Sequence, residues 1–156
     1  MSRRFRILLL LVVPTLIGCD HATKHLAKSR LEGERPVSLV SGVLDLRYSE
    51  NRGVAFSLFE DLPVGLRTPM VVGFTTLALG AIFLYWRRRA SGSLEQLGLA
   101  LVVAGAVGNL LDRLGRGYVV DFIHFAHWPV FNVADVLILA GGALLVAGTL
   151  RTAPTR

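Results

Sequence analysis

Gly105-Ala106-Val107-Gly108-Asn109-Leu110-Leu111-Asp112-Arg113, then Val119-Val120-Asp121-Phe122-Ile123, then Phe131-Asn132-Val133-Ala134-Asp135: these three blocks of one stretch decide how the chain reads. Each sets polar groups against an apolar run long enough to lie in lipid. Asp112 and Arg113 close one such run, Asn132 and Asp135 open the next, and Asp121 sits on the short link between them. A charge at membrane depth is expensive, so ionisable residues there are functional candidates by default. Asp121 and Asp135 have no neighbour of opposite charge in sequence, and they flank one short crossing.

Outward from this stretch, the composition is that of a membrane protein. The 156 residues are 53% hydrophobic, and the mean hydropathy is +0.55, above the range of ordinary soluble domains. The length allows one domain, residues 1–156, and no linker or repeat divides it. Lys and Arg (17) exceed Asp and Glu (11). The arginines cluster beside apolar runs and are not interleaved with aromatics, so they read as topology signals and no nucleic-acid partner is expected. Cys19 is the sole cysteine, which excludes an intrachain disulfide.

Four apolar runs predict four transmembrane helices at about 5–27, 69–86, 93–111 and 133–150. Arg3, Arg4 and Arg6 precede the first. Leu16-Ile17-Gly18-Cys19 within it also has the form of a bacterial lipobox. A secreted lipoprotein would have no use for three further apolar runs, so the first run is read as a span and not as a cleaved signal. Arg87–Arg89 follow the second span, and Arg151 and Arg156 follow the fourth. The positive-inside rule therefore places both termini in the cytoplasm, with the 29–67 loop and the 112–132 link outside. Small residues (Gly98, Ala100, Ala104, Gly105, Gly108 in the third span; Gly141, Gly142, Gly148 in the fourth) permit close helix contacts. They fix no oligomeric state, and a monomer is the expectation. Asn109 needs an interhelical partner.

Asp20, Thr23 and Lys24 share a face of the first helix. The simpler account is an ion pair with Lys24 snorkelling to the headgroups; the other is a polar face turned into the bundle. In the outer loop, Val37–Val40 and Val43–Tyr48 around Ser41-Gly42 predict a β-hairpin. Asn51-x-Gly53 permits a tight turn, and Val54, Phe56, Leu58 and Phe59 offer an apolar surface to the interface. Tyr118–Ile123 has strand character. His124 and His127 suggest a metal pair, but Pro129 argues for a loop and no further ligand stands near, so no metal or cofactor is expected.

Singly, Asp135 reads as a first-turn acid behind an Asn132 N-cap, Asp121 as a loop acid, and Asp112 as a helix-end acid beside Arg113. Together, Asp121 and Asp135 would share one proton if brought close. That state suits peptide hydrolysis, one carboxylate activating water and the other protonating the scissile group. Paired acids also serve proton relays, so a proton-coupled transporter stays open at this point.

The motifs go further. Asp20-x-x-Thr23-Lys24, Asn51-x-Gly53-x-Ala55-Phe56, Gly105-Ala106-x-Gly108-Asn109-x-x-Asp112-Arg113, Val119-x-Asp121-Phe122-Ile123 and Phe131-Asn132-x-Ala134-Asp135 resemble, in order, the signature blocks of lipoprotein signal peptidases (signal peptidase II). His21 and Ala104 depart from the usual pattern, both away from the carboxylate pair. The resemblance implies an aspartyl endopeptidase of the bacterial cytoplasmic (inner) membrane that cuts prolipoproteins before a diacylglyceryl-modified cysteine. It implies a four-helix bundle with a small periplasmic β-cradle and an interfacial helix or loop, and inhibition by globomycin-type peptides. It places catalysis on Asp121 and Asp135, and supporting roles on Asp20, Lys24, Asn51, Gly53, Gly108, Asn109, Arg113, Asn132 and Ala134.

Overall fold

Every apolar run becomes a helix that overshoots its apolar limits. The computed structural model describes residues 3–53, 63–89 and 92–152. The elements in order are α1 (Arg3–Leu31), β1 (Val37–Val40), β2 (Leu44–Asn51), α2 (Val64–Arg89), α3 (Ser93–Arg116), β3 (Val119–Phe125) and α4 (Val133–Thr152). The polar turns added to α1 and α3 find side-chain partners near the sheet, which is why these helices continue beyond their apolar residues. Helix α3 ends where Gly117 adopts a left-handed φ of 78° and returns its N–H to the Arg113 carbonyl at 3.0 Å. Glycine takes that conformation without the Cβ penalty, and the chain then runs directly into β3.

The bundle is organised around α3, which packs against α1, α2 and α4. Among the described residues, α2 touches α3 alone, and most of its surface is exposed. Helices α3 and α4 approach backbone to backbone. A Cβ on Gly98 would lie 2.7 Å from the Gly141 carbonyl oxygen, and one on Gly141 would lie 2.6 Å from that of Gly98. Gly105 faces the Ala134 carbonyl in the same way. Gly142, expected to be a contact, faces open space instead. Three helices among the described residues, Gly65–Trp86, Ser93–Arg116 and Val133–Arg151, are long and apolar enough to cross a membrane. The fourth long helix, α1, runs for 29 residues, and its second half carries Asp20, Lys24, Lys28 and Arg30.

The expected hairpin forms, with β2 three residues longer than its predicted end at Tyr48. What the sequence reading did not include is the third partner: the sheet has the order β1-β2-β3 and is antiparallel throughout. Leu46 pairs with Ile123 and Ser49 pairs with Asp121, so Arg47 and Tyr48 together stand opposite Phe122. Side chains alternate along a strand, so an extra residue in one strand reverses its parity from that point on. The bulge is therefore what lets Asn51, opposite Val119, share a face with Asp121 while Leu46 also remains on that face. Val120 and Phe122 pack on Ala27 and Leu31 of α1, joined by Tyr48, Tyr118 and Val133. This small core seats the sheet on the ends of the helices. The interfacial surface expected of Val54, Phe56, Leu58 and Phe59 lies outside the described residues.

Candidate active site

Asp135 stands in the first turn of α4. The side chain of Asn132 accepts a hydrogen bond from the Asp135 N–H at 3.0 Å, and the Asp135 carboxylate accepts one from the Asn132 N–H at 3.2 Å. This reciprocal pair is a capping box, which satisfies helix-end donors and fixes the carboxylate's position. The expected N-cap is therefore present, and it coexists with a second task. The Asn132 Nδ2 donates to Asp121 Oδ1 at 2.5 Å. One asparagine thus touches both carboxylates, and Asp121 on β3 meets Asp135 on α4 across it.

Each carboxylate has its own amide as well. Asn51 donates to Asp121 Oδ2 at 2.9 Å, while its Oδ1 accepts the Gly53 N–H at 3.1 Å. Asn109 donates to Asp135 Oδ1 at 2.9 Å. Arg113 donates to the Gly53 carbonyl at 2.8 Å and to the Asn109 carbonyl at 3.3 Å. It ties the end of β2 to α3 instead of pairing with its neighbour Asp112.

Lys24 explains why Asn109 is oriented as it is. Its side chain is fully buried, and its Nζ lies 2.7 Å from Asp20 Oδ2, 2.9 Å from Asp112 Oδ2 and 2.9 Å from Asn109 Oδ1. An amide oxygen held by an ammonium leaves the amide nitrogen to face Asp135. The i,i+4 pair with Asp20 is there, but snorkelling is not. Taking an ammonium out of water is tolerated only when it is matched by opposite charge and hydrogen bonds, and here two carboxylates and an amide surround it. Asp20 also accepts the Ala134 N–H at 2.9 Å, which anchors α4 one residue before Asp135. A Cβ at Gly108 would lie 2.7 Å from Asp20 Oδ2, so only glycine leaves room for this carboxylate.

Asp112, read from sequence as a helix-end acid, is 2% exposed and belongs to the Lys24 cluster, with Arg116 at 3.2 Å. Its i,i+4 spacing to Arg116 was the available signal. Thr23 donates to its own helix, at the Asp20 carbonyl, and among the described residues has no bond to the site. His124 lies on the sheet with its Nδ1 3.7 Å from Asp45, and no group of three potential metal ligands forms among the described residues.

Asp121 is 2% exposed. Burial pushes its carboxyl up to about 6, and the nearby Asp135 charge adds to the push; the Asn51 and Asn132 hydrogen bonds and Lys24 act against it. Two carboxylates are thus linked by one asparagine, and burial disposes one of them to hold its proton more tightly than a free aspartate does.

The profile of signal peptidase (SPase) II, Peptidase_A8, matches residues 12–151. The chain belongs to the signal peptidase II family. This is a family of membrane aspartic peptidases, and the chain is accordingly a membrane aspartic endopeptidase of that type. A lipoprotein signal peptidase of Geobacter metallireducens is 36% identical, with 97% of this chain and 94% of that protein covered. One of Rhodococcus jostii is 39% identical over 93% of this chain and 73% of its own. A solved structure described as a bacterial membrane enzyme, obtained in meso at 1.9 Å resolution, superposes with a TM-score of 0.82 at 23% identity, covering 93% of this chain and 94% of that one. Another such structure, at 2.3 Å, gives 0.78 at 22% identity. Membership in the signal peptidase II family sets aside the transporter and the secreted-lipoprotein readings. The chain is a bacterial membrane protein.

Proposed function

We propose that this protein removes the signal peptide from diacylglyceryl-modified prolipoproteins by hydrolysing the bond before the lipidated cysteine, with Asp121 and Asp135 as its catalytic residues. The observation that carries the reading is the bridging asparagine: Asn132 is hydrogen-bonded to both carboxylates. The relatives' shared name, lipoprotein signal peptidase, supplies the substrate class.

In this mechanism the pair carries one proton. The raised value at Asp121 supports placing the proton there. Ionised Asp135 accepts a proton from water as the water oxygen attacks the scissile carbonyl carbon. Asp121 delivers its proton to the carbonyl oxygen, giving a tetrahedral diol. The C–N bond then breaks, Asp135 returns its proton to the departing amine, Asp121 recovers one from the diol, and the pair is reset. Asn51 and Asn109 hold the two carboxylates in register; Asp20, Lys24, Gly108 and Ala134 fix the start of α4; Arg113 and Gly53 fix the end of β2.

The whole chain forms one domain with four spans. For α1, 29 residues at about 1.5 Å each exceed the roughly 30 Å of a hydrocarbon core, and Ile7–Ile17 is apolar apart from Pro14 and Thr15. Both termini are then cytoplasmic, the site lies at the periplasmic surface of the inner membrane, and globomycin-type peptides would compete with substrate there. A monomer suffices, because every proposed catalytic group comes from one chain.

Asp121→Asn and Asp135→Asn, assayed on a lipidated precursor, should each reduce cleavage by about 10²–10⁴-fold, with the variant protein still folded in the membrane. Near-normal processing by either variant would remove the carboxylate pair from the mechanism.

A further inference from the structure

Beyond the site, the described residues carry one more polar cluster that bridges three elements. Tyr118 stands between Gly117, which ends α3, and Val119, the first residue of β3. Two cations reach its side chain: the Arg52 guanidinium is 5.4 Å from the ring centroid, and Lys28 Nζ of α1 approaches from the hydroxyl end, 5.5 Å from the centroid. Lys28 also donates to the Tyr118 hydroxyl at 2.8 Å. Arg52 bonds Glu50 at 2.6 Å, Glu50 accepts from the Tyr48 hydroxyl at 3.2 Å, and the Tyr48 and Tyr118 hydroxyls are 3.4 Å apart. The Arg52–ring contact is worth a modest amount at a partly exposed site; with the Lys28 hydrogen bond to the same side chain and the link through Glu50, it forms a network.

What the network holds is specific. The last ladder pair of β2 with β3 is Asn51↔Val119. Arg52 over Tyr118 continues the pairing by one rung through side chains, at the point where backbone pairing stops. Asn51 is the residue before Arg52, and its amide meets Asp121. A turn at the end of a strand is free to fray unless side chains hold it. Arg113 holds this one from α3, through Gly53. We propose that Tyr118, gripped between Lys28 and Arg52, is a positioning residue that clamps the Asn51–Gly53 turn from the α1 side and so keeps the Asn51 amide on Asp121. Lys24 and Lys28, one helical turn apart on α1, then serve the two carboxylates in parallel: Lys24 orients Asn109 toward Asp135, and Lys28 secures the turn that brings Asn51 to Asp121.

The inference rests on the proposed carboxylate pair and has its own signature. The Asn51 hydrogen bond opposes the upward push on Asp121. The charged groups acting on Asp121 from the other elements are Asp135 of α4, Lys24 of α1 and Arg113 of α3, and none of them belongs to the clamp. Loosening the clamp should therefore move the limb of the kcat/KM–pH profile that Asp121 governs toward higher pH, by about half to one unit for a weakened neutral hydrogen bond. A variant that merely lowers the amount of folded enzyme scales the profile without moving it.

The experiment uses the full-length enzyme in detergent micelles and a synthetic diacylglyceryl-modified precursor peptide. Tyr118→Leu and the surface variant Arg52→Gln are each expected to shift that limb upward. Arg52→Lys, which keeps a cation over the ring, should restore most of it. In an Asn51→Ala background, Tyr118→Leu should add no further shift, because the group being positioned is gone. If the limb stays in place in Arg52→Gln and in Tyr118→Leu, or if shifts persist on top of Asn51→Ala, the clamp is overturned. Retained activity in Asp121→Asn would instead overturn the underlying catalytic reading, so the two failures are distinguishable.

Discussion

A buried carboxyl whose folded pKa lies above its unfolded value binds its proton more tightly in the native state. Asp121 is pushed from 3.8 to about 6, chiefly by burial. Its contribution to stability is then fully present below about pH 4 and is lost as pH rises through 6, by about 3 kcal/mol for two units. The wild-type protein in detergent should lose thermal stability between pH 4 and pH 7 through this group. Asp121→Asn, which cannot ionise, should lose less over the same interval, whatever fixed offset its altered hydrogen bonds introduce. A melting-temperature difference between the two proteins that is the same at pH 4.5 and pH 7 would contradict this. The residue scale also shows why one position can be structural and catalytic together. Asn132 caps α4 with its oxygen and bonds Asp121 with its nitrogen, so the helix cap itself brings the two carboxylates together.

At the scale of elements, the contact that matters most is α3 against α4. Asn109 and Asp135 can meet only because the two backbones approach at Gly98, Gly105 and Gly141. Adjacent glycines in α4 give an internal control. Gly141→Ala would set a Cβ 2.6 Å from a carbonyl oxygen and 2.8 Å from Val102, while Gly142→Ala meets nothing within 4 Å. The first should destabilise by about 1–3 kcal/mol and lower the rate by shifting Asp135 away from Asn109. The second should be neutral or slightly stabilising, since alanine favours helix. Thermal unfolding and cleavage measured on the pair would test this, and equal behaviour of the two variants would refute the close-packing account. The β2 bulge is the corresponding device in the sheet, setting the parity that puts Asn51 beside Asp121.

For the whole molecule, the arrangement of charge relative to the helices sets orientation. Reporter fusions after Arg89 and at the carboxyl end should register as cytoplasmic, and a reporter at Gly42 in the hairpin as external. A cytoplasmic signal from the hairpin would reverse the topology and put the carboxylates on the wrong side for an exported precursor. The same architecture bears on Leu16-Ile17-Gly18-Cys19. That stretch lies inside the continuous helix α1, where peptide bonds are closed to a protease, and α1 supplies Asp20 and Lys24 to the site. Mass spectrometry of the purified protein should find the segment before Cys19 attached and Cys19 unlipidated; a mature chain beginning at Cys19 would be incompatible with the fold.

Apolar run length, arginine placement and residue alternation were enough to read the helices and the hairpin, because lipid solvation and backbone periodicity are local constraints that the sequence records directly; Asp121 and Asp135 stood out as acids flanking one short crossing, whereas Asp20, Asn51 and Asn109 entered as site residues only through the resemblance of their motifs to a family. Three things were decided only by tertiary structure. Lys24 is buried and not snorkelling, because Asp112 and Asn109 arrive from a helix distant in sequence to surround it. Asp112 joins that cluster and ignores Arg113, since neighbouring residues on a helix point in different directions. Tyr118 becomes a clamp only when β3 pairs with β2 and sets its hydroxyl against Lys28 and its ring near Arg52. Each depends on long-range pairing of charge and amide groups, which no local pattern specifies; for the fully buried Lys24 and Asp112 the cost of an unmatched polar group selects the arrangement.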